Sequence, residues 1–195
     1  DGDDGTDTLK EDMEAIRFGD GSEVALSVSE RQEFLVNTYT QDTQQTPVVT
    51  GLTDGGYVIA WASSNQDGSS WGIYGQRYDV SGTALGEEFQ VNTHSCSDQS
   101  WPSITTLTNG NFVITWRDSS GHNGGSSWDI RAQIYNGAGN TIGDEFLVNS
   151  YVSNTQNLPS ISALDDGGFV IAWEDHSGHN GGSSYDVYAK QFDAN

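Results

Sequence analysis

The sequence contains few of the residues that cross-link or stiffen a small protein. Its 195 residues include one cysteine and three prolines. Because Cys96 is the single cysteine, no disulfide can form within the chain. Packing, bound ions or neighbouring copies must therefore provide the stability, and we predict that this thiol lies on the surface.

Positive charge and long apolar runs are also scarce. Seven Lys+Arg stand against 28 Asp+Glu, which gives a formal net charge of -21. Such a surface repels nucleic acid and anionic membranes and attracts cations. No stretch approaches the roughly 18 apolar residues that a membrane span requires, and the first residues lack the pattern of a signal peptide. We therefore expect neither a nucleic-acid partner nor a membrane span.

Glycine and aromatic residues, by contrast, are plentiful. The chain has 24 Gly, six Trp, eight Tyr and seven Phe, although only 34% of its residues are hydrophobic. Aromatic residues combined with many small turn-forming residues are typical of short strands joined by tight turns. The composition thus favours an all-β protein.

One unit of about 55 residues occurs three times. EFLVNT begins at Glu33, EFQVNT at Glu88 and EFLVNS at Glu145. Each copy continues with a glutamine, a proline, a DGG-like turn and an apolar run ending in tryptophan. These residues are Gln44, Gln99 and Gln156; Pro47, Pro102 and Pro159; and Trp61, Trp116 and Trp173. We assign the tryptophans to the core and expect the glutamines to hydrogen-bond backbone between units.

Each unit has the pattern of four strands. EFxVN is a short first strand, and the second strand begins at the proline. The third, YVIAW or FVITW, has the pattern of a strand buried on both faces, and the fourth is an alternating segment such as YDVYAKQFD. Tandem four-stranded antiparallel units are typical of β-propeller blades. The alternative is a pseudo-threefold β-prism or trefoil-like closure. We assign 1–29 to a flanking segment and 30–195 to the β domain, with repeats at about 30–84, 85–141 and 142–195.

The heptapeptide GHNGGSS lies between the third and fourth strands of two units, at 121–127 and 178–184. Repeat one has the shorter NQDGSS at the same place. The heptapeptide is therefore predicted to be a lengthened hairpin loop, and loops of this kind often carry binding residues.

This loop resembles the Asp-box of sialidase-like propellers, Ser-x-Asp-x-Gly-x-Thr-Trp. Gly125, Ser127 and Trp128 match its last fixed positions, whereas Asn123 stands where that family has Asp. The other copy matches through Gly182 and Ser184 before Tyr185, again with Asn180 in place of Asp. In that family the motif is a structural turn away from the active site, so the resemblance implies blade architecture and not catalysis.

The first residues resemble a second family. GDDGTDTLK at 2–10 is similar to one calcium-binding RTX nonapeptide, with Asp3 in place of a glycine, and the tandem units resemble repeats of secreted bacterial RTX-type surface proteins. The resemblance implies calcium as cofactor, with Asp7 as a ligand. The chain starts inside this pattern, and QFDAN stops where the other repeats continue, so we expect a part of a longer protein.

Candidate calcium ligands also recur in the loops. Calcium binds oxygen donors, and carboxylate and amide side chains flank both copies of the heptapeptide. The alternative is that the carboxylates cap the hairpins or face water. The loop candidates are Asp118, Asn123, Asp129, Asp175, Asn180 and Asp186.

The same loops could bind sugar, since carbohydrate sites pair an aromatic face with polar groups. The alternative is that aromatic residues at repeating positions are blade core. Trp101 differs because the other repeats have Thr46 and Leu158 there, which makes it a candidate exposed anchor. The candidate ligand-binding residues are Trp71, Trp101, His122, Asn123, Trp128, His179, Asn180 and Tyr185.

No catalytic residue is predicted. The chain has no nucleophile elbow, HExxH or Walker loop, and its arginines do not recur at one blade position. We expect a non-enzymatic, secreted or surface-attached repeat module for adhesion or carbohydrate binding, supported by calcium, whose partners are cell-surface glycan and further repeats or copies. The alternatives are a self-assembling stalk or filament subunit and a part of a glycan-processing enzyme.

Overall fold

The computed structural model describes residues 15–17, 23–25, 32–122, 127–181 and 184–194, with only the backbone for 15–17, 23–25 and residue 180. The chain divides into two compact units, 1–35 and 36–195. The first unit contains β1 (Ala15–Arg17) and β2 (Glu23–Ala25), which pair antiparallel. Within the described part of the chain, no helix is long and apolar enough to cross a membrane.

Three antiparallel sheets make up the described residues of the second unit. Each is a meander in which strands pair in chain order. Sheet 1 contains β3 (Gln44–Gly51), β4 (Tyr57–Ser64), β5 (Trp71–Tyr78) and β6 (Ala84–Gln90). Sheet 2 contains β7 (Gln99–Thr106), β8 (Phe112–Asp118), β9 (Asp129–Tyr135) and β10 (Thr141–Leu147). Sheet 3 contains β11 (Gln156–Ala163), β12 (Phe169–Asp175) and β13 (Asp186–Phe192).

The sheets stack face to face, with sheet 2 in the middle. Phe112, Ile114 and Trp116 of β8 pack towards sheet 1, while Val113 of the same strand packs towards sheet 3. This explains the continuous apolar run of β8, which is buried on both faces as predicted. The first strands of the sheets are neighbours, since β7 packs against both β3 and β11. The architecture is that of propeller blades, as the repeats predicted, and not the prism or trefoil alternative.

The strand that opens each sequence repeat closes the sheet before it. Phe89 of the second EFxVN pairs with Gly75 in sheet 1, and Phe146 of the third pairs with Ala132 in sheet 2. The first EFLVN, residues 33–37, forms no strand. The prediction of four strands per repeat in one blade was therefore wrong in its grouping, and sheet 3 has three strands within the described residues.

The repeated prolines lie in β-bulges and not at the first residue of a strand, as was predicted. The register of each first strand shifts between Gln45 and Val48 or at the equivalent positions in sheets 2 and 3. The residue before each proline has a positive φ: 52° at Thr46, 55° at Trp101 and 48° at Leu158. Proline donates no hydrogen bond, so the bulge places it where the ladder is already interrupted.

A recurring pair of amides connects each sheet to the next. In sheet 1 the side-chain oxygen of Asn92 accepts the backbone N–H of Ile73 at 2.7 Å, and its Nδ2 donates to Oε1 of Gln99 in sheet 2 at 3.1 Å. Gln99 also donates to the carbonyl of Cys96 at 2.9 Å. We call this arrangement the Asn–Gln pair. Asn149 with Gln156 repeats it. The glutamines do bond backbone, but at a carbonyl three residues earlier in their own repeat and not between units, as was predicted.

Other predictions about single residues are confirmed. Trp61, Trp116 and Trp173 are at most 6% exposed and lie in the core, while the thiol of Cys96 is exposed. The two GHNGGSS copies lie in the loops β8–β9 and β12–β13. Residues 123–126, 182 and 183 of these copies lie outside the described residues.

Candidate functional site

The histidine of each GHNGGSS loop stacks on a ring from the link that leads to the next sheet. His122 stacks on His94 with ring centroids 3.4 Å apart, and His179 stacks on Tyr151 at 4.3 Å. His94 and Tyr151 hold the same place in the repeat, two residues after Asn92 and Asn149. The loop histidines are thus held by the repeat itself, which places an aromatic face at the same point of sheets 2 and 3.

In sheet 3 these rings line a cavity of about 390 Å³, which we call the sheet-3 pocket. His179 lies between two tyrosines, stacking on Tyr188 at 4.6 Å as well as on Tyr151. Polar groups surround the rings: the ammonium of Lys190 donates to the Val148 carbonyl at 2.9 Å. The principal lining residues are Ser150, Tyr151, Trp173, Asp175, His179 and Lys190.

The carboxylate of Asp175 lies beneath this pocket and is 1% exposed. Burial acts to raise its pKa, but hydrogen bonds from Ser177 and Gln156 and the neighbouring His179 outweigh burial and hold the pKa below its ordinary value. The carboxylate therefore remains charged in the folded protein at neutral pH, and its distance to Nδ1 of His179 is 3.6 Å.

The sequence of Asp175, Ser177 and His179 does not form a nucleophilic triad. In such a triad the carboxylate orients the imidazole through one ring nitrogen while the other nitrogen takes the serine proton. Here the Ser177 hydroxyl contacts the Asp175 carboxylate directly, and a single nitrogen, Nδ1 of His179, faces both groups. The arrangement is that of a tight turn.

The matching cavity of sheet 2, which we call the sheet-2 pocket, measures about 460 Å³ and is lined by two carboxylates, Asp144 and Glu145, beside His94 and His122. Arg131 stands where sheet 3 has Tyr188, and its guanidinium lies 3.6 Å from Asp118 and 3.0 Å from Glu145. All three side chains are at most 2% exposed. Glu145 also accepts the N–H of Thr93 at 2.7 Å. Glu145 is the member of this buried network that lines the sheet-2 pocket, which has two carboxylates where the sheet-3 pocket has a carboxylate and an ammonium group.

The predicted aromatic residues separate into different places. Trp101 and Trp128 both face Arg117, whose guanidinium carbon lies 5.8 Å and 4.0 Å from their ring centroids. Burial lowers the pKa of Arg117. Trp101 is 43% exposed, as expected for an anchor, whereas Trp71 packs at the margin of the core between sheets 1 and 2. These residues do not meet His122 or His179 in one site.

Tyr185 is the most exposed of the predicted aromatic residues, at 66%. It contacts His176 edge-on, with ring centroids 3.5 Å apart. Asn123 and the side chain of Asn180 lie outside the described residues, and the backbone of Asn180 belongs to a 3-10 turn at His179–Gly181.

Three of the predicted calcium ligands, Asp118, Asp129 and Asp175, already have protein partners. Asp118 accepts the backbone N–H of Ser120 at 2.9 Å, and Asp129 accepts from Asn149 at 2.8 Å. Burial raises the pKa of Asp129. This effect is larger than the lowering caused by the hydrogen bond from Asn149 and by the charge of Arg131. Asp186 lies opposite Asp175 in the register of β13 and β12, which is a pairing of the two backbones and not of the carboxylates. Among the residues that the structure describes, no group of three or more His, Cys, Asp and Glu side chains could hold a metal ion, and Asp7 lies outside them.

Sequence reasoning missed His94, Tyr151, Tyr188 and Lys190. A signal for the first two was present, because Tyr39, His94 and Tyr151 place a ring at one position of all three repeats. No comparable signal marked Tyr188 and Lys190, which were assigned only to an alternating strand. Their position at the pocket depends on the fold of the loop above them.

Comparison with known proteins supports the fold. No protein-family profile and no curated protein matches the chain. An endo-arabinase from Bacteroides thetaiotaomicron is similar in structure, with a TM-score of 0.52 and 13% identity over 91% of this chain and 64% of its own length. An alpha-L-arabinofuranosidase from Lactobacillus brevis has a TM-score of 0.55 and 11% identity, over 82% of this chain and 55% of its own length. A Hadza microbial sialidase has a TM-score of 0.53 and 10% identity, over 74% of this chain and 37% of its own length.

These similarities define the chain as an all-β protein with the blade architecture that carbohydrate-active enzymes also use. The chain spans less than two thirds of each of these three structures. At such low identity the likeness extends to the fold and not to the activity.

Proposed function

We propose that this chain is a non-enzymatic, extracellular module that binds carbohydrate and serves adhesion. One observation carries the proposal: the sheet-3 pocket presents stacked rings beside hydroxyl, carboxylate and ammonium groups. Sugars offer apolar C–H faces to rings and hydroxyls to polar groups, and His179, Tyr151 and Lys190 supply both kinds of contact. The fold shared with carbohydrate-active enzymes agrees with this proposal.

The absence of catalysis is part of the proposal. Glycoside hydrolysis uses two carboxyl groups that flank the scissile bond. Asp118 and Asp129 are each 1% exposed and do not line the sheet-3 pocket, so Asp175 is the single carboxylate among its lining residues and the second carboxyl group is missing there. Secretion and membership of a longer RTX-like protein are proposed from the sequence resemblance.

A glycan array followed by titration of the strongest ligand tests the binding. Tyr151→Ala removes one face of the stack on His179 and should weaken binding about fivefold, since an aromatic contact contributes about 1 kcal/mol. Tyr185→Ala removes an equally large ring that does not line the sheet-3 pocket, and serves as the control. Loss of affinity in Tyr185→Ala alone, or turnover of any polysaccharide, would contradict the proposal.

Calcium support is a separate proposal. The described carboxylates do not form a calcium cage, because the Asp118 carboxylate is paired with Arg131 and the Asp175 carboxylate accepts the backbone N–H of Ser177. Calcium would therefore depend on the predicted donors outside the described residues, Asp7 and the two loop asparagines. Thermal unfolding with excess calcium and with chelator tests this: calcium should raise the Tm, and equal values in both conditions would end the proposal.

A further inference from the structure

Two residues of sheet 2 depart from the repeat and lie close to each other. Arg117 of β8 stands where the other sheets have Ala62 and Glu174. Trp101 of β7 stands where they have a threonine and a leucine. The guanidinium carbon of Arg117 lies 5.8 Å from the ring centroid of Trp101. Since the residues that build a blade recur in every unit, this pair has no counterpart in the framework that the repeats share.

Trp128, at the end of the loop β8–β9, completes the group. Its ring centroid lies 4.0 Å from the guanidinium carbon of Arg117, which is the distance of a close cation–π contact. Arg117 and Trp128 are partly buried, whereas Trp101 is 43% exposed. We call Trp101, Arg117 and Trp128 the Trp–Arg cluster. It combines an exposed aromatic ring with a held cation.

Neutral acceptors orient the guanidinium group of Arg117. Its Nε donates to Oγ of Ser100 at 2.9 Å, and its Nη1 donates to Oδ1 of Asn157 in sheet 3 at 2.9 Å. Nη2 has no hydrogen-bond partner among the described residues. The two bonds fix the group but leave most of its N–H donors unused, so a further acceptor can bind without moving it.

The positive charge of Arg117 has no carboxylate beside it. The chain contains 28 Asp+Glu, and Arg131 of the same sheet is paired with two of them. Arg117 forms no ion pair with any described residue, and Asp98 acts on it from a longer distance. Burial lowers the pKa of Arg117 more than Asp98 raises it. A partly buried cation without a counter-ion is costly, and an anionic ligand reduces that cost.

The exposure of Trp101 arises within the described fold. Sheet 2 has four strands, and its two faces pack against sheet 1 and sheet 3. Trp101 lies in the β-bulge of β7 with a φ of 55°, and bulges redirect a side chain away from the faces of its strand. None of the three residues lines the sheet-3 pocket. The cluster is therefore a separate surface.

We propose that the Trp–Arg cluster is a second carbohydrate site, which binds a sugar with a single carboxylate, a uronic acid. Trp101 packs against the apolar face of the sugar ring, and the carboxylate accepts from Nη2 of Arg117. Carboxylates are the acceptors that match a guanidinium group best, and aromatic rings are the side chains that pack best on sugar rings. The proposal goes beyond the sheet-3 pocket in both the place and the class of ligand.

The net charge of the chain limits the ligand to few negative charges. At -21 the protein repels a polyanion over long distances. That repulsion is screened beyond about 8 Å at physiological salt, whereas a carboxylate in contact with Arg117 is screened much less. A sugar with a single carboxylate therefore gains the contact with Arg117 and meets the least repulsion.

Titration with two matched sugars tests the site. The methyl glycosides of glucuronic acid and of glucose have the same ring and differ in the carboxylate, and binding of each is followed by NMR on the whole chain. The charged contact should give the unmodified protein a preference of about tenfold or more for the uronate. Arg117→Gln should bring the two affinities together. Trp101→Ala should weaken both about fivefold and keep the preference, since it removes a contact with the ring alone.

Asn157→Asp separates loss of charge recognition from loss of structure. Aspartate has the shape of asparagine, so its carboxylate can still accept from Nη1 and gives Arg117 a counter-ion within the protein. The Tm should be unchanged or raised, while the preference for the uronate should vanish. Arg77→Gln is the control: Arg77 belongs to sheet 1 and donates to the Ala138 carbonyl at 2.7 Å, so its loss should leave the preference intact.

Four results would overturn the proposal. They are no binding of the uronate, equal binding of both sugars by the unmodified chain, a preference that survives in Asn157→Asp or in folded Arg117→Gln, and a preference that is lost in Arg77→Gln. Tyr151→Ala tests the sheet-3 pocket and should leave the uronate preference of the Trp–Arg cluster unchanged. The two binding proposals can therefore fail separately.

Discussion

The Asn–Gln pair allows a quantitative comparison within one molecule. Asn92 is 3% exposed and makes three hydrogen bonds: from the Ile73 N–H, to Gln99 and to the His94 carbonyl. Replacing it with alanine removes all three and leaves the buried N–H of Ile73 without a partner. At about 1 kcal/mol for each bond, and somewhat more for the unpaired donor, Asn92→Ala should cost about 3 to 4 kcal/mol.

Asn37 is the matched control, because it occupies the same position in repeat one. It is only partly buried, and its side chain donates to Tyr39 and, at 3.4 Å, to Gln44. Asn37→Ala should therefore cost about 1 kcal/mol.

Urea unfolding gives the free energy of unfolding by linear extrapolation, with an unchanged m-value as the sign that the compactness of both states is preserved. The midpoint of Asn92→Ala should fall well below that of Asn37→Ala. Equal costs for the two variants, or a cost below about 1 kcal/mol for Asn92→Ala, would show that the pair does not connect the sheets energetically.

Three further predictions concern packing and pH. Gly75→Ala should cost about 1 to 2 kcal/mol in urea unfolding, since the added Cβ would lie 2.8 Å from Phe89; an unchanged midpoint would contradict this. Asp175→Asn should lower the Tm at pH 7, because the folded-state pKa lies below 3.8 and the charged form stabilises the fold; the difference should vanish as the pH falls through that pKa. Asp129→Asn should do the reverse: its pKa is raised above 3.8, so removing the charge should raise the Tm at pH 7 and have no effect below pH 3.8. The same sign for both variants would refute this reasoning.

Much of the fold was predictable because the repeat carries its own evidence. Three copies of a turn, an apolar run and an alternating strand require three similar sheets, and tryptophans at the end of each apolar run belong to the core. The place of EFxVN was not predictable in the same way. A repeat has the same period wherever its boundary is drawn, so the pattern does not say whether Phe89 joins the sheet before it or after it.

The site was predicted in part for a similar reason. His122 and His179 were found because they recur within a lengthened loop, where an unusual residue is visible in the sequence. Tyr188 and Lys190 were missed because an alternating strand shows which side chains share a face, but not what covers that face. The left-handed residue before each proline could not be foreseen either, since Thr46, Trp101 and Leu158 rarely adopt such a backbone.

The offset between repeat and sheet affects how the array unfolds. Because each complete sheet takes its outermost strand from the following repeat, adjacent repeats share backbone ladders and not only side-chain packing. In a one-dimensional array the coupling between neighbours decides whether units melt singly or together. Detaching one repeat here removes a strand from its neighbour, so the array should melt as a block, and proteases should find few partly opened intermediates to cleave.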